Sequence, residues 1–221
     1  MKPIPPDRAP AVVPFDADDS PSGRILRVAR DQLYAFGYNA LTMDVLAHEL
    51  GMSKKTIYVH YDSKDEIVAA IIDMIGQTIR RQVEAVFAQE SLSFARRLHG
   101  IMEIVGGQFG ASRPTLGREL ERFAPKLYVK LDELRRKNIP LVIGRILRVG
   151  VAEGMIRKDV DLDFAVEFWL QAVNGLVHPA TLARTGLTAR EAFEKGLRLF
   201  VSAVLTEAGR DEFAKQFRKP A

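Results

Sequence analysis

Cysteine is absent from the chain, which excludes disulfides, thiolate metal sites and cysteine redox sensing. Histidine is scarce: His48, His60, His99 and His178 are the only four, and none has a partner at metal-ligand spacing within a helix. His48-Glu49 opens like a zinc-protease motif, but Met52 stands where the second histidine is required. Glycine patterns of the Walker or dinucleotide-binding type are missing. No enzyme activity, metal or cofactor is therefore expected. No apolar run is long enough to span a bilayer, and no charged-then-apolar secretory segment opens the sequence. A cytoplasmic protein without a membrane partner is the expectation. Alternating strand-like runs are also lacking, so the chain reads as all-α.

The 221 residues suit one large domain or two modest ones. The net charge of +4 does not fall where it would announce a nucleic-acid partner. From Ser20 to Val68 six basic and six acidic residues cancel. The excess lies further on, in Arg80-Arg81, Arg96-Arg97, Arg135-Arg136-Lys137 and Arg145 to Arg148. Met1 to Asp19 holds five of the eleven prolines and a net charge of minus two. It reads as a disordered tail, not a groove-binding arm.

Helix punctuation organises the rest. Ser20-Pro21 fits an N-cap with Pro at the first helical position, and Gly37 is a stop. Thr42 can cap a second helix with Asp44 at its positive end. Gly51 makes a turn, Ser53 can cap a third helix, and Ser63-Lys64-Asp65-Glu66 is a capping box opening a long fourth one. Further helices are predicted over Leu92 to Phe109, Pro114 to Phe123, Pro125 to Glu153, Asp161 to Arg184 and Thr188 to Ala208. Kinks or breaks are expected at Pro140 and Pro179. The expected domains are a helix-turn-helix unit over residues 20–68, a second helical domain over 69–208 and a polar tail over 209–221.

Two helices joined through a three-residue turn, Gly51-Met52-Ser53, make a helix-turn-helix, whose second helix fits the major groove of DNA. That helix runs from about Lys54 to Tyr61. Ile57 and Tyr61 take its core side, which leaves Lys54, Lys55, Thr56, Tyr58 and His60 outward. Lysines reach phosphates or a guanine edge, and Thr56, Tyr58 and His60 can donate to phosphate. Ser53 begins this helix, and Ser63 and Lys64 sit at the start of the fourth, where free amides favour an anion.

From Arg24 to Ile72 the order of apolar and polar positions resembles the first three helices of the TetR family of bacterial transcription regulators and the start of the fourth. Thr56-Ile57-Tyr58-Val59-His60-Tyr61, followed by Ser63-Lys64-Asp65, is similar to that family's most recognisable segment. The resemblance implies that Thr42, Lys55, Thr56, Tyr58, His60 and Lys64 contact double-stranded DNA; Ser53 and Lys54 join this set. Lys55 departs from the family, which often has Gly before the Thr, and it either reads a base or binds phosphate. The resemblance further implies a C-terminal ligand-binding and dimerisation domain. A small-molecule pocket would lie among the middle helices, and the last two helices would pair with a second subunit. Phe109, Phe123, Tyr128, Trp169, Asn174 and His178 are the pocket candidates. Phe164, Phe168, Leu176, Phe193, Leu197, Phe200, Val201 and Val204 are the dimer candidates, although their stripes equally fit one monomeric core. The basic excess from Arg80 to Lys158 suits an anionic effector or a solvated face.

The function expected is a ligand-responsive, homodimeric repressor on a palindromic operator. The alternatives are a helical small-molecule binder without sequence-specific DNA binding, and an architectural DNA binder without an effector.

Overall fold

The computed structural model describes residues 18–111 and 115–217. Of the tail expected over residues 1–19, only Asp18 and Asp19 fall within it. Among the described residues there are eleven helices and no strand, with one isolated bridge between Ile156 and Leu205. The helices are α1 (Pro21–Phe36), α2 (Met43–Leu50), α3 (Lys54–Tyr58), α4 (Lys64–Phe87), α5 (Phe94–Ala111), α6 (Leu116–Phe123), α7 (Pro125–Ala152), α8 (Leu162–Leu176), α9 (Pro179–Thr185), α10 (Ala189–Val204) and α11 (Glu207–Phe217). None of them is long and apolar enough to cross a membrane.

Short polar residues start these helices by accepting a backbone N–H that the first turn leaves unpaired. Ser20, Thr42, Ser53, Ser63, Asp161 and Thr188 all do so. Thr188 and Glu191 form a complete capping box. Gly51, at φ 61° and ψ 31°, supplies the left-handed residue on which the chain turns from α2 towards α3.

Two prolines inside helical patterns behave differently. At Pro179 the chain breaks: His178 is extended, its Nδ1 accepts from Ala180 N–H, and Pro179 becomes the first residue of α9. At Pro140 the helix continues, and α7 packs against α4 and α8. Of the expected polar tail over 209–221, residues 209–217 belong to α11 instead, and residues 218–221 lie outside the described residues. Phe213 packs on the core, Glu212 accepts from the Ala95 amide at the start of α5 (3.1 Å), and Thr206 Oγ1 accepts from Gly209 N–H (3.1 Å).

Two apolar cores result. One joins α1–α3 and the first half of α4 through Ile25, Leu41, Leu46, Ile57 and Ile67, and it also takes in Leu116, Leu120, Ala124 and Leu127. The other joins the far end of α4 to α5, α7, α8 and α10 around Trp169. The expected boundary at residue 68 therefore falls inside α4, where Ile71 and Ile72 still belong to the first core. At Gly76, α4 and α7 come so close that a Cβ would collide with Leu134, and the buried Asn138 donates to the Gly76 carbonyl (3.3 Å).

Candidate DNA interface and effector cavity

Ile57, fully buried, and Tyr61, nearly so, fix the inner face of α3. The Tyr61 and Ser22 hydroxyls lie 2.7 Å apart and tie the end of the turn to α1. The α-helix proper ends at Tyr58, but Tyr61 N–H still donates to the Ile57 carbonyl (3.0 Å), so the helical turn reaches the expected limit. With one face anchored, helical geometry sends the next residues outward. Lys54, Lys55 and Thr56 are exposed, Tyr58 is 48% and Val59 74% exposed, and His60 is half-buried.

These groups are not equally available. The Lys55 side chain makes no ion pair or hydrogen bond among the described residues, so its ammonium is free to meet a phosphate or a base edge. Lys54 lies 2.8 Å from Asp44 of α2, and the hydrogen bond to that carboxylate holds its pKa above the ordinary lysine value. Ser53 Oγ accepts from Thr56 N–H (3.1 Å) and lies 2.9 Å from Thr56 Oγ1. Thr42 is exposed and caps α2 (3.2 Å to Val45 N).

Lys64, expected to contact DNA from the start of α4, is half-buried and has partners within the chain. Its ammonium donates to the Tyr38 carbonyl (3.2 Å) and sits 4.0 Å from the centroid of the Tyr38 ring. The Tyr38 hydroxyl donates in turn to Asp65, and burial followed by that bond raises its pKa to about 12. The start of α4 is partly engaged as well. Ser63 Oγ accepts from Glu66 N–H (3.2 Å), Glu66 accepts from Asp62 N–H (2.6 Å), and Asp65 and Glu66 already place negative charge in the first turn.

Behind this face the same loop is gripped by α6. Glu119 accepts from the Tyr38 amide (2.9 Å) and from the Thr115 hydroxyl (2.9 Å). Gly37, at φ 89° and ψ 177°, adopts a conformation that side chains disfavour, and a Cβ there would strike the Glu119 carboxylate. Sequence alone gave no signal for this contact, because the partners are 81 positions apart.

A cavity of about 520 Å³ lies between the two cores and draws lining residues from both, within the roughly 300–1,000 Å³ usual for small-molecule sites. Its wall runs from Leu33 and Tyr34 of α1, through α4–α7, to Phe193 and Leu197 of α10, and is mainly aliphatic. Of the pocket candidates, Phe109 and Trp169 line it. Phe123, Tyr128, Asn174 and His178 do not. Phe123 is exposed beneath the Arg122 guanidinium. Tyr128 meets the His178 ring edge-on (6.5 Å between centroids), and His178 is used as a cap. Asn174 lies on α8 outside the lining, its Oδ1 buried without a partner. The polar lining residues that sequence reasoning missed include Tyr34, Gln108, Arg135 and Asn138.

The dimer candidates also divide. Phe193, Leu197, Phe200, Val201 and Val204 are buried in the chain's own second core, where Trp169 stacks on Phe200 (5.1 Å) and meets Phe193 (5.9 Å), so they cannot serve a partner surface. Leu176 is half-buried. Phe164 (68%) and Phe168 (53%) on α8 are exposed, as is Leu199 (76%) on α10, which the apolar stripe did not include.

Residues 25–71 match the family model described as bacterial regulatory proteins, tetR family. Two curated relatives align along most of the chain. An uncharacterised HTH-type transcriptional regulator, YvaF of Bacillus subtilis (strain 168), is 21% identical over 172 residues, covering 78% of this chain and 90% of that protein. The HTH-type transcriptional repressor KstR2 of Rhodococcus jostii (strain RHA1) is 24% identical over 163 residues, covering 70% and 78%. The regulatory protein TetR from Rhodobacter sphaeroides shares the fold, with a TM-score of 0.61 at 17% identity over 82% of this chain and 97% of that one. Residues 25–71 are thus similar to the helix-turn-helix of the tetR family of bacterial regulatory proteins, and the chain shares the all-helical fold of a solved TetR regulator.

Proposed function

We propose that the protein is a homodimeric repressor that occupies a palindromic operator and is released from it by a small molecule held in the cavity. One geometric fact carries the reading. The face of α3 that bears Lys55, Thr56 and Tyr58 is exposed and polar, while Ile57 and Tyr61 lock its opposite face into the core. A short helix held this way reads few base pairs, and specificity calls for two of them. Phe164, Phe168 and Leu199 leave an apolar surface on α8 and α10 that a second subunit would cover. The two recognition helices would then meet half-sites about 34–36 Å apart, or at a multiple of that spacing.

The release step rests on where the cavity lies. Its occupant would touch α1 and α4 of the DNA-binding core and α10 of the other core at once. A ligand shifts the equilibrium between two arrangements only as far as it binds one better than the other. An occupant bridging both cores is placed to do so.

The test is selection of bound duplexes from a random-sequence pool at near-physiological salt, followed by sequencing. Enrichment of a two-fold symmetric site is the expected result. A folded protein that enriches no sequence would overturn the repressor reading.

A further inference from the structure

We infer that the cavity takes an amphipathic anion, an apolar chain or ring system ending in one acidic head group, and that Arg135 of α7 holds the head. The inference rests on the effector reading above and narrows it to a chemical class. Of the basic residues from Arg80 to Lys158, Arg135 is the one that lines the cavity. Most of the others with a defined partner meet it outside. Arg97 pairs with Glu153, Arg136 with Asp132, Arg145 with Glu84 and Arg157 with Asp159.

The polar groups on the wall separate into satisfied and unsatisfied ones. Asn138 accepts from Arg80 (2.6 Å) and donates to the Gly76 carbonyl. Arg190 is compensated by Glu194 (2.6 Å) and Glu103 (3.1 Å). Arg135 has no hydrogen bond or ion pair among the described residues, and the lining residues include no Asp or Glu. Asp132, one turn earlier on α7, is engaged by Arg136 (2.7 Å). The Tyr34 hydroxyl, contributed by α1, is also without a hydrogen-bond partner. Both groups are half-buried; burial lowers the Arg135 pKa, with Tyr128 and Asp132 acting against it, and raises that of Tyr34 to about 12.

An unpaired guanidinium in an apolar chamber is unfavourable until an acceptor arrives. Guanidinium geometry suits a carboxylate, sulfate or phosphate, which can take two parallel N–H bonds. The aliphatic remainder of the wall requires the rest of the ligand to be apolar. A neutral hydrocarbon would leave the charge unanswered, and a small inorganic anion would leave most of the chamber unfilled.

The experiment titrates full-length protein by calorimetry with two matched pairs: decanoate against decanol, and 2-naphthoate against naphthalene-2-methanol. In the wild-type protein the anion of at least one pair is expected to bind roughly 10- to 100-fold tighter than its alcohol. Arg135→Met should erase that preference, and Arg135→Lys should restore part of it. Thermal unfolding of the unliganded Met variant supplies a readout independent of ligand. Removing a half-buried charge that has no direct ion pair should leave its Tm unchanged or raised, whereas an arginine kept for packing would lower it. Equal binding of alcohol and anion would refute the anionic class and leave an effector cavity standing. A preference surviving in the Met variant would remove Arg135 as the anchor. Failure of all four compounds to bind wild-type protein would overturn the cavity as an effector site together with this assignment.

Discussion

The three lysines near the recognition helix should divide cleanly in the salt dependence of DNA binding. Each lysine–phosphate contact releases condensed counterions and contributes about 0.9 to the slope of log K against log salt. Lys55 is exposed and without an ion pair, so its full contribution is available. In a dimer, Lys55→Gln should lower the slope by about 1.8, which between 50 and 200 mM salt is roughly a tenfold difference in affinity change. Lys54 must first leave Asp44, 2.8 Å away. Breaking an exposed pair costs only about 0–1 kcal/mol, so Lys54→Gln should show a smaller drop in slope. Lys64 is held by the Tyr38 carbonyl and ring. Lys64→Gln should leave the slope unchanged and lower folding stability by about 1 kcal/mol. Fluorescence anisotropy on a labelled duplex across a KCl series measures the slopes, and urea unfolding measures the stability. A fall in slope for Lys64→Gln as large as that for Lys55→Gln would refute the assignment of Lys64 to the protein's interior contacts.

Three further outcomes are expected. Glu119→Ala leaves the Tyr38 amide without its acceptor and should cost about 1–3 kcal/mol, seen as a lower urea midpoint with an unchanged m-value; an unchanged midpoint would remove the α6 contact as a stabilising tie. Phe164→Asp with Phe168→Asp should shift sedimentation towards monomer with helical circular dichroism retained, and persistence of the dimer would place its interface elsewhere. The Glu191 carboxylate is held below its ordinary pKa, first by the Thr188 backbone N–H and then by the Thr188 hydroxyl. Its contribution is therefore present above the unfolded value of about 4.3 and is lost as pH falls through the lower folded value. A stability difference between wild type and Glu191→Gln should close in that acid range, and one that stayed constant with pH would contradict the cap.

The helix starts were legible because each depends on one local hydrogen bond. Ser20, Thr42, Ser53, Ser63, Asp161 and Thr188 could be placed from the residue and its neighbours alone. The outward face of α3 was legible for a similar reason: fixing Ile57 and Tyr61 inward fixes the rest by helical geometry. What escaped depends on neighbours remote in sequence. The α10 stripe of Phe193, Leu197, Phe200 and Val201 has the same spacing whether it meets Trp169 of its own chain or a second subunit. Lys64 and Arg135 resemble other surface basic residues until Tyr38 and the cavity wall are seen beside them. The polar composition beyond Leu205 hid α11, because its attachment runs through single residues, Glu212 and Phe213.

The inclusion of Leu116, Leu120, Ala124 and Leu127 in the core around α1–α3 bears on how such regulators can be recombined. A chimera that grafts residues 20–68 onto another member's remaining chain would carry the DNA-reading surface but leave behind part of the floor on which it rests. Foreign side chains at the α6 positions would change the shape of the core they share with α1–α3, and a partner lacking the Glu119 carboxylate would leave the Tyr38 amide bare. A functional exchange of operator specificity therefore has to move the α6 face with the helix-turn-helix, or else alter only the outward residues of α3 and keep everything beneath them.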